Sequence, residues 1–275
     1  MTEVLLSTYN GVKYLPQQLD SLLQQTDKEW TLIVRDDGST DGTLDILRQY
    51  KERFGARMSL MQDEQKHIGS LRSFERLLTG SKADYCLFAD QDDIWLKDKI
   101  KHARERMQEC EAETGKDKPT IVYSDLMVTD EKLHVLGTYR QWVRLRPELL
   151  LTPQRMAVNN YVTGCTMMIN RAAINVSLPF GEHALVHDAV IGLAVCAASG
   201  RIEDIGRSDI LYRQHLGNAV GAIEVRLNMA YLWNKIKGIG KVYRQQYANY
   251  LQACDIIPIT PMKFVYNRCK YLFKR

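Results

Sequence analysis

Three carboxylates, Asp90, Asp92 and Asp93, follow an apolar run that ends at Ala89. An apolar run of this length, bounded by charged residues, predicts a buried strand. Carboxylates this close repel one another, so their clustering at a strand end favours a bound cation, Mn²⁺ or Mg²⁺, that also carries phosphate. A solvated turn that caps the next helix is the alternative, and three acids alone do not decide between the two.

Polar side chains also end two earlier predicted strands. Ser7 and Tyr9 end the first, and Asp36 and Asp37 end the second. In a parallel sheet these ends share one edge, where open α/β folds bind ligands. A carboxylate there could accept hydrogen bonds from a base or ribose, although residues 36–43 also fit a turn and a helix cap.

The chain has neither of the common glycine-rich phosphate loops. A nucleotide diphosphate would therefore have to be held in another way. A divalent ion on Asp92 that bridges the diphosphate oxygens is the expected substitute, because Mg²⁺ and Mn²⁺ favour oxygen ligands.

Strand and helix alternate four times before residue 114, which predicts right-handed crossovers and a parallel sheet. The predicted strands are 4–7, 30–34, 58–61 and 85–89, and the predicted helices 14–25, 43–53, 67–78 and 97–113. Further strands are predicted at 120–123, 163–170 and 210–213, with helices at 171–176 and 187–199. Residues 129–153 are predicted to be an irregular region that could shape a pocket.

Composition indicates a soluble globular protein of 275 residues, 45% of them hydrophobic. The amino terminus runs into a strand without a basic segment or cleavage site, and no window reaches eighteen apolar residues, which argues against secretion and a spanning helix. The six cysteines show no metal-type spacing, so we expect a reducing cytoplasm.

Charge divides the chain. Residues 1–220 carry a net charge of −4, whereas residues 221–275 carry ten Lys/Arg, two acids and nine aromatic residues. Two helices are predicted in this tail, at 230–251 and 262–273, and their composition suits an anionic membrane surface. The alternatives are packing on the body or on a second subunit, in a homo-oligomer. A nucleic-acid-binding module is the non-enzymatic alternative, and the acidic body argues against it.

The motifs together resemble family 2 glycosyltransferases with the GT-A fold, and among them most closely bacterial rhamnosyltransferases. The matching segments, in the family's order, are 6–11, 35–43, 89–95, 163–170, 187–188 and 212–215. The resemblance covers residues 2–220. It implies an α/β catalytic domain over 1–220, with a mostly parallel central sheet flanked by helices, followed by a helical extension over 221–275.

The resemblance also implies how the donor is bound. Ser7, Tyr9 and Asp37 would hold the nucleotide base, with Asp37 facing its ring N–H. Arg72 falls near a basic residue that contacts the nucleotide in relatives. Asp90 and Asp92 would form the D-x-D element, with Asp92 the direct metal ligand and Asp90 facing ribose or a metal-bound water. Asp93 is expected only to cap the next helix.

On the acceptor side, Asp188 matches the family's catalytic base. Its carboxylate would take the proton of the attacking hydroxyl, although its position at a helix N-terminus predicts a depressed pKa. His187 departs from the glutamate that the family often has there. Gly164 and Cys165 are expected to line the acceptor side, and His215 is a candidate for a metal or diphosphate contact.

The implied activity is inverting, metal-dependent sugar transfer. The resemblance implies L-rhamnose from dTDP-L-rhamnose as the donor, and a lipid-linked cell-wall or surface polysaccharide as the acceptor, at the inner face of the cell membrane. Transfer of glucose, galactose or N-acetylglucosamine from a UDP-sugar is the alternative within the same fold.

Overall fold

The computed structural model describes residues 1–143, 147–149, 152–215 and 239–274. Its strands are β1 Thr2–Thr8, β2 Thr31–Asp36, β3 Met58–Leu60, β4 Tyr85–Ala89, β5 Ile94–Trp95, β6 Thr120–Thr129, β7 Val135–Thr138, β8 Met167–Asn170 and β9 Arg201–Arg213. Its helices are α1 Leu15–Leu23, α2 Thr43–Phe54, α3 Gly69–Gly80, α4 Lys99–Thr114, α5 Tyr139–Trp142, α6 Pro153–Met156, α7 Arg171–Ser177, α8 His187–Ala197, α9 Ile239–Cys254 and α10 Pro261–Lys274. Short 3₁₀ turns lie at Gly55–Arg57, Pro147–Leu149 and Gly164–Thr166.

Within the described residues these strands form one sheet in the order β3-β2-β1-β4-β8-β6-β9-β5, with β7 paired to β6 off this path. The first four are parallel, as the alternation of strand and helix predicts. Beyond β4 the sheet is mixed, because β8 runs antiparallel to both of its neighbours. The predicted α/β sheet flanked by helices is confirmed, and its second half combines both strand directions.

Side chains alternate between two cores, one on each face of the sheet. In β1, Val4 and Leu6 face a core that includes α1, α2 and α4, whereas Leu5 faces a core that includes α3, α7 and α8. This follows from the two-residue period of a strand. Because helices cover both faces of the sheet, the polar residues gather at the edge formed by the carboxyl ends of the parallel strands.

The register brings the predicted polar strand ends together. Thr8 at the end of β1 pairs with Asp36 of β2, and Leu6 of β1 pairs with Ala89 at the end of β4. The residues that follow these strands therefore emerge next to one another, as expected for a parallel sheet.

Several boundaries differ from the sequence prediction. β6 continues to Thr129 and β9 begins at Arg201, because the two strands pair along most of their length and so need little apolar periodicity of their own. The predicted strand 163–170 begins only at Met167, since Thr163 accepts hydrogen bonds from Thr166 in a 3₁₀ turn. The region 129–153, predicted to be irregular, contains β7 and the short helix α5, and α6 begins at its last residue, Pro153.

The C-terminal helices pack on the body. Ile257, Ile259, Phe264 and Tyr271 are buried in the core that contains α8. Residues 230–238 of the first predicted tail helix lie outside the described residues, and the described helix begins at Ile239. None of the helices among the described residues combines the length and the hydropathy that a membrane span requires.

Arg35, in β2, ties the nucleotide-side loops together. It is fully buried, and its guanidinium donates to Asp37 at 2.8 Å, to Asp63 at 3.0 Å and to the Ser73 hydroxyl at 2.8 Å. A buried charge left without its partner is costly. The side chain therefore holds β2, the segment after β3 and α3 in one arrangement.

We predict that Arg35→Met lowers the free energy of unfolding by about 3–5 kcal/mol, because it leaves the buried Asp37 carboxylate without its cation. Urea denaturation measures the change. The matched control is Arg48→Met, which breaks an exposed pair with Asp45 and should cost no more than about 1 kcal/mol. Equal effects of the two substitutions would contradict the role assigned to Arg35.

Candidate active site

A cavity of about 630 Å³ opens at the carboxyl edge of the sheet. It is lined by residues that follow β1, β2 and β4, by the start of α3 and by the start of α8. Eight of the predicted site residues line it: Ser7, Tyr9, Asp37, Asp90, Asp92, Gly164, His187 and Asp188. Three others, Arg72, Cys165 and His215, are not among the lining residues.

The segment at the end of β1 forms part of the cavity wall. Tyr9 is 48% exposed, and its ring lies perpendicular to the His67 ring, with the ring centroids 5.6 Å apart. Gln91, the middle residue of the D-x-D element, accepts from the Tyr9 amide at 2.9 Å and donates to its carbonyl at 3.0 Å. This pair of hydrogen bonds fixes the loop after β1 against the loop after β4.

Asp37 is held rigidly in the same wall. Its Oδ1 accepts from Arg35 and from the Ile68 amide at 3.0 Å, and its Oδ2 accepts from the Gly69 amide at 2.8 Å. Burial works to raise its pKa, but these donors outweigh burial and hold the pKa below its ordinary value. Asp37 is therefore a fixed anion with little remaining capacity to accept hydrogen bonds.

Acidic groups converge in the wall of the cavity. Burial, together with the charges of Asp92 and Asp188, raises the pKa of Asp90 to about 7. His215 arrives from the segment after β9, and its Nε2 lies 2.8 Å from Asp92 Oδ2. A crowded set of carboxylates with an adjacent imidazole is a suitable donor set for a divalent cation.

Asp93 does not cap the next helix, and that prediction is wrong. The residue before α4 is Asp98, and Asp93 is fully buried, where it accepts from the Arg213 amide at 3.3 Å. Burial and then the charge of Asp90 raise its pKa well above the ordinary value. Lys99 lies buried in the same region, and burial lowers its pKa to about 8.

Cys165 is only 2% exposed and lies beneath the cavity next to Asp93. Burial raises the pKa of its thiol well above the ordinary value. The acceptor-side prediction is therefore corrected for Cys165, because the 3₁₀ turn at Gly164–Thr166 directs its side chain into the core, while Gly164 remains in the wall.

Arg72 also needs correction. Its guanidinium pairs with Glu75 at 2.7 Å and donates to the carbonyls of Phe180 and Gly181 at 3.2 and 3.0 Å. These contacts hold the loop between α7 and α8. The structure therefore does not favour the predicted nucleotide contact for Arg72.

Asp188 lies in the first turn of α8, as predicted, and lines the cavity. Its Oδ2 accepts from the Gly164 amide at 3.0 Å. Burial raises its pKa to about 6, against the opposing effect of hydrogen bonds from the Gly164 and Ala189 amides and from Asn160. The expectation of a depressed pKa from the helix N-terminus is wrong, because desolvation outweighs those donors.

His187 is held as a neutral ring. It lies against Phe74 and Phe88, with ring centroids 4.3 and 5.0 Å away, and burial lowers its pKa to about 3. Its Nε2 is buried without a hydrogen-bond partner among the described residues. A Cβ on Gly164 would lie 2.3 Å from this nitrogen, so the wall requires glycine at that position.

Other lining residues were not identified from the sequence: His67, Gln91, Asn160 and Tyr212. Gln91 could have been found from its place between Asp90 and Asp92, and Tyr212 from its place in the matching segment 212–215. His67 and Asn160 lie outside the matching segments, and only the packing of distant elements brings them to the cavity.

Comparison with known proteins gives one family. Residues 3–176 match the model described as Glycosyl transferase family 2. Among curated proteins, the dTDP-rhamnosyl transferase RfbG of Shigella flexneri is 37% identical over 101 residues, which cover 36% of this chain and 35% of RfbG. The poly(ribitol-phosphate) beta-N-acetylglucosaminyltransferase TarS of Staphylococcus aureus is 32% identical over 102 residues, covering 36% of this chain and 18% of TarS. The match thus spans about a third of RfbG and less than a fifth of TarS.

Two solved structures share the fold. TarS 1–349 in complex with UDP-GlcNAc superposes with a TM-score of 0.64 at 18% identity, covering 98% of this chain and 73% of that chain. The mannosyltransferase PcManGT from Pyrobaculum calidifontis, in complex with GDP-Man and Mn²⁺, superposes with a TM-score of 0.63 at 14% identity. The superposition covers 99% of this chain and 69% of that chain. At these identities the likeness supports the α/β GT-A architecture.

We predict that Gly164→Ala lowers the free energy of unfolding by about 1–3 kcal/mol, because the added methyl group would displace His187. Equilibrium denaturation measures this change. Gly80→Ala is the matched control, since its Cβ would meet only the terminal Cε of Met61, at 3.2 Å. A Gly164→Ala protein as stable as its parent would show that the wall has room to adjust.

Proposed function

Because the chain belongs to glycosyl transferase family 2, whose model matches residues 3–176, we propose that its cavity transfers a sugar from a nucleotide-diphosphate donor to an acceptor hydroxyl. One observation carries the proposal. Asp37, a fixed anion, Asp92 and the half-buried Asp188 line a single pocket, and His215, which does not line it, contacts Asp92. These are the groups needed to hold a base, a diphosphate and an attacking hydroxyl.

The base end is formed by Ser7, Tyr9 and Asp37. Asp37 keeps its charge, and three N–H donors already occupy most of its lone pairs. One remaining acceptor position suits the single ring N–H of a thymine or uracil. The half-exposed Tyr9 ring offers a face against which the base can stack.

Asp92 and His215 fit a divalent cation. Their ligand atoms lie 2.8 Å apart, a separation that two adjacent ligands of one ion can adopt, and Asp90 is close enough to Asp92 for the charges to interact. When bound, the ion would neutralise negative charge on the departing diphosphate. A mixed oxygen and nitrogen donor set favours Mn²⁺ over the oxygen-preferring Mg²⁺.

Asp188 is the proposed base. A hydroxyl is a poor nucleophile at neutral pH, so a carboxylate must accept its proton as it attacks the anomeric carbon. Burial raises the pKa of Asp188 to about 6, which makes it a stronger base than an ordinary aspartate while leaving it ionised at pH 7. Direct attack from the face opposite the diphosphate inverts the anomeric configuration.

The donor sugar proposed is L-rhamnose, from dTDP-L-rhamnose. L-Rhamnose carries a methyl group where most hexoses carry a hydroxymethyl group, and an apolar wall accommodates a methyl group at little cost. Phe74, Leu126, Val162 and Val186 supply apolar lining in the cavity that contains Asp188. The partial likeness to the rhamnosyl transferase RfbG supports the same choice. N-acetylglucosamine from UDP-GlcNAc is the second candidate, favoured by the likeness to TarS.

The acceptor proposed is a lipid-linked glycan at the cytoplasmic face of the membrane. Support comes from α10, where Met262, Val265 and Tyr266 are 84, 59 and 63% exposed and lie on one helical face. The exposed Cys269 extends this stripe by one turn. Lys263 and Lys270 flank it, and residues 256–275 contain no acid. An exposed apolar stripe with flanking lysines is typical of a helix that lies on an anionic lipid surface.

We predict that Asp188→Asn lowers the transfer rate by about 10²–10⁴-fold, because the amide cannot accept the proton, while donor binding persists. In the parent, the rate should fall about tenfold per unit as the pH drops below about 6, because protonated Asp188 cannot act as a base. A radiolabelled-sugar transfer assay measures both. Asp117→Asn, at an exposed turn after α4, is the control. Unchanged transfer in Asp188→Asn would remove it from this role.

The protein should bind phosphatidylglycerol-rich vesicles and not phosphatidylcholine vesicles in co-sedimentation. Replacing Lys263 or Lys270 with Gln should weaken binding about fivefold each, because a lysine near an anionic surface contributes about 1 kcal/mol. Val265→Ser combined with Tyr266→Ser should abolish binding, whereas Val176→Ser, at an exposed position on α7, should not. A different result would assign the stripe to a second copy of the chain instead. In that case the parent would not bind vesicles but would self-associate, and the same variants would lose this self-association.

A further inference from the structure

The loop between α7 and α8, residues 178–186, leads directly into His187 and Asp188. Much of it lies at the surface, where Glu182, His183 and Leu185 are exposed. A surface loop of this kind is usually among the less stable parts of a fold. The geometry of Asp188 nevertheless depends on it, because it sets where α8 begins.

On one side the loop is held by α3. Glu75 Oε1 accepts from the Phe180 amide at 2.7 Å. Arg72 donates to the carbonyls of Phe180 and Gly181 and is itself paired with Glu75. An acidic side chain of α3 thus accepts from the backbone of the loop, and a basic side chain of the same helix donates to it.

On the other side the loop is held by the end of α9. Asp255 Oδ2 accepts from the His183 amide at 2.8 Å, and its Oδ1 lies 2.9 Å from His183 Nδ1. Gln252 Oε1 accepts from the Leu185 amide at 2.9 Å. A Cβ on Gly181 would lie 2.3 Å from Asp255 Oδ2, so glycine permits this close approach.

The segment that carries Gln252 and Asp255 is packed against the body of the protein. Gln252 is 7% exposed, and Ala253, Ile257 and Ile259 around it are buried in the core shared with α8. Farther along, Arg268 of α10 donates to the Val158 carbonyl at 2.6 Å. Asp255 and Gln252 therefore hold the loop from a packed support.

We propose that Asp255 and Gln252 are positioning residues for Asp188, so that the C-terminal helix pair completes the active site without lining it. The inference rests on the proposed function. By fixing the His183 and Leu185 amides, they set the path of Val186 and the first turn of α8. Loss of this support would let the Asp188 carboxyl move relative to the acceptor hydroxyl. Misplacement of a reacting group by about 1 Å can cost about 10²-fold in rate.

The test uses the full chain with Asp255→Ala, Asp255→Asn and, as control, Glu182→Gln, which alters an exposed carboxylate of the same loop. Hydrogen exchange is followed at the amides of residues 180–189 and of β1. Transfer is measured with the nucleotide sugar that the parent accepts, and donor affinity by calorimetry. We expect Asp255→Ala to accelerate exchange in the loop but not in β1, and to lower kcat about 10- to 100-fold with donor affinity unchanged. Asp255→Asn keeps one acceptor oxygen and should recover part of the rate.

Unchanged loop exchange, or an unchanged kcat in Asp255→Ala, would overturn the proposal. A loss of donor affinity and of β1 protection in step with kcat would also overturn it, since that pattern indicates general destabilisation. A parent protein that transfers no sugar from any nucleotide donor would refute the proposed function instead, and the exchange data would still report whether Asp255 holds the loop.

Discussion

Repulsion between carboxyl groups is the main electrostatic feature of this site, and the surrounding fold has to offset it. Asp90, Asp92, Asp93 and Asp188 gather near one end of the sheet, where burial weakens the screening that water would give. Burial, and then the charge of neighbouring carboxylates, raises the pKa of Asp90 and of Asp93, whereas the pKa of Asp188 is raised by burial. A cation near Asp90 and Asp92 would offset the repulsion between them, so an arrangement that is unfavourable in the free protein favours binding of a positively charged partner.

The fold maintains this arrangement with groups from distant parts of the chain. Arg213 donates its amide to Asp93 and its guanidinium to the Asp92 carbonyl, and His215 reaches the Asp92 side chain. These residues arrive through β9, which pairs with β6 along most of its length. The mixed half of the sheet therefore has a direct chemical role, because it returns the chain to the acidic loop after β4.

Much of this could be predicted from the sequence where local pattern is sufficient. Tyr85–Ala89 was predicted with its observed boundaries, because five apolar residues between charged segments permit few alternatives. The gathering of polar strand ends followed from the parallel topology alone. What failed depended on tertiary packing. Nothing local indicates that Asp93 is buried, that a 3₁₀ turn directs Cys165 inward, or that Arg72 binds a loop more than a hundred residues away.

In the proposed function, Asp92 and its neighbours bind a divalent cation together with a nucleotide diphosphate. Calorimetric titration of dTDP and UDP with and without Mn²⁺, in the parent and in Asp92→Asn, measures whether the two bind together. We expect Mn²⁺ to tighten diphosphate binding at least about tenfold in the parent, and Asp92→Asn to remove this coupling while thymidine or uridine still binds. Equal diphosphate affinity with and without Mn²⁺, or coupling that survives Asp92→Asn, would contradict it.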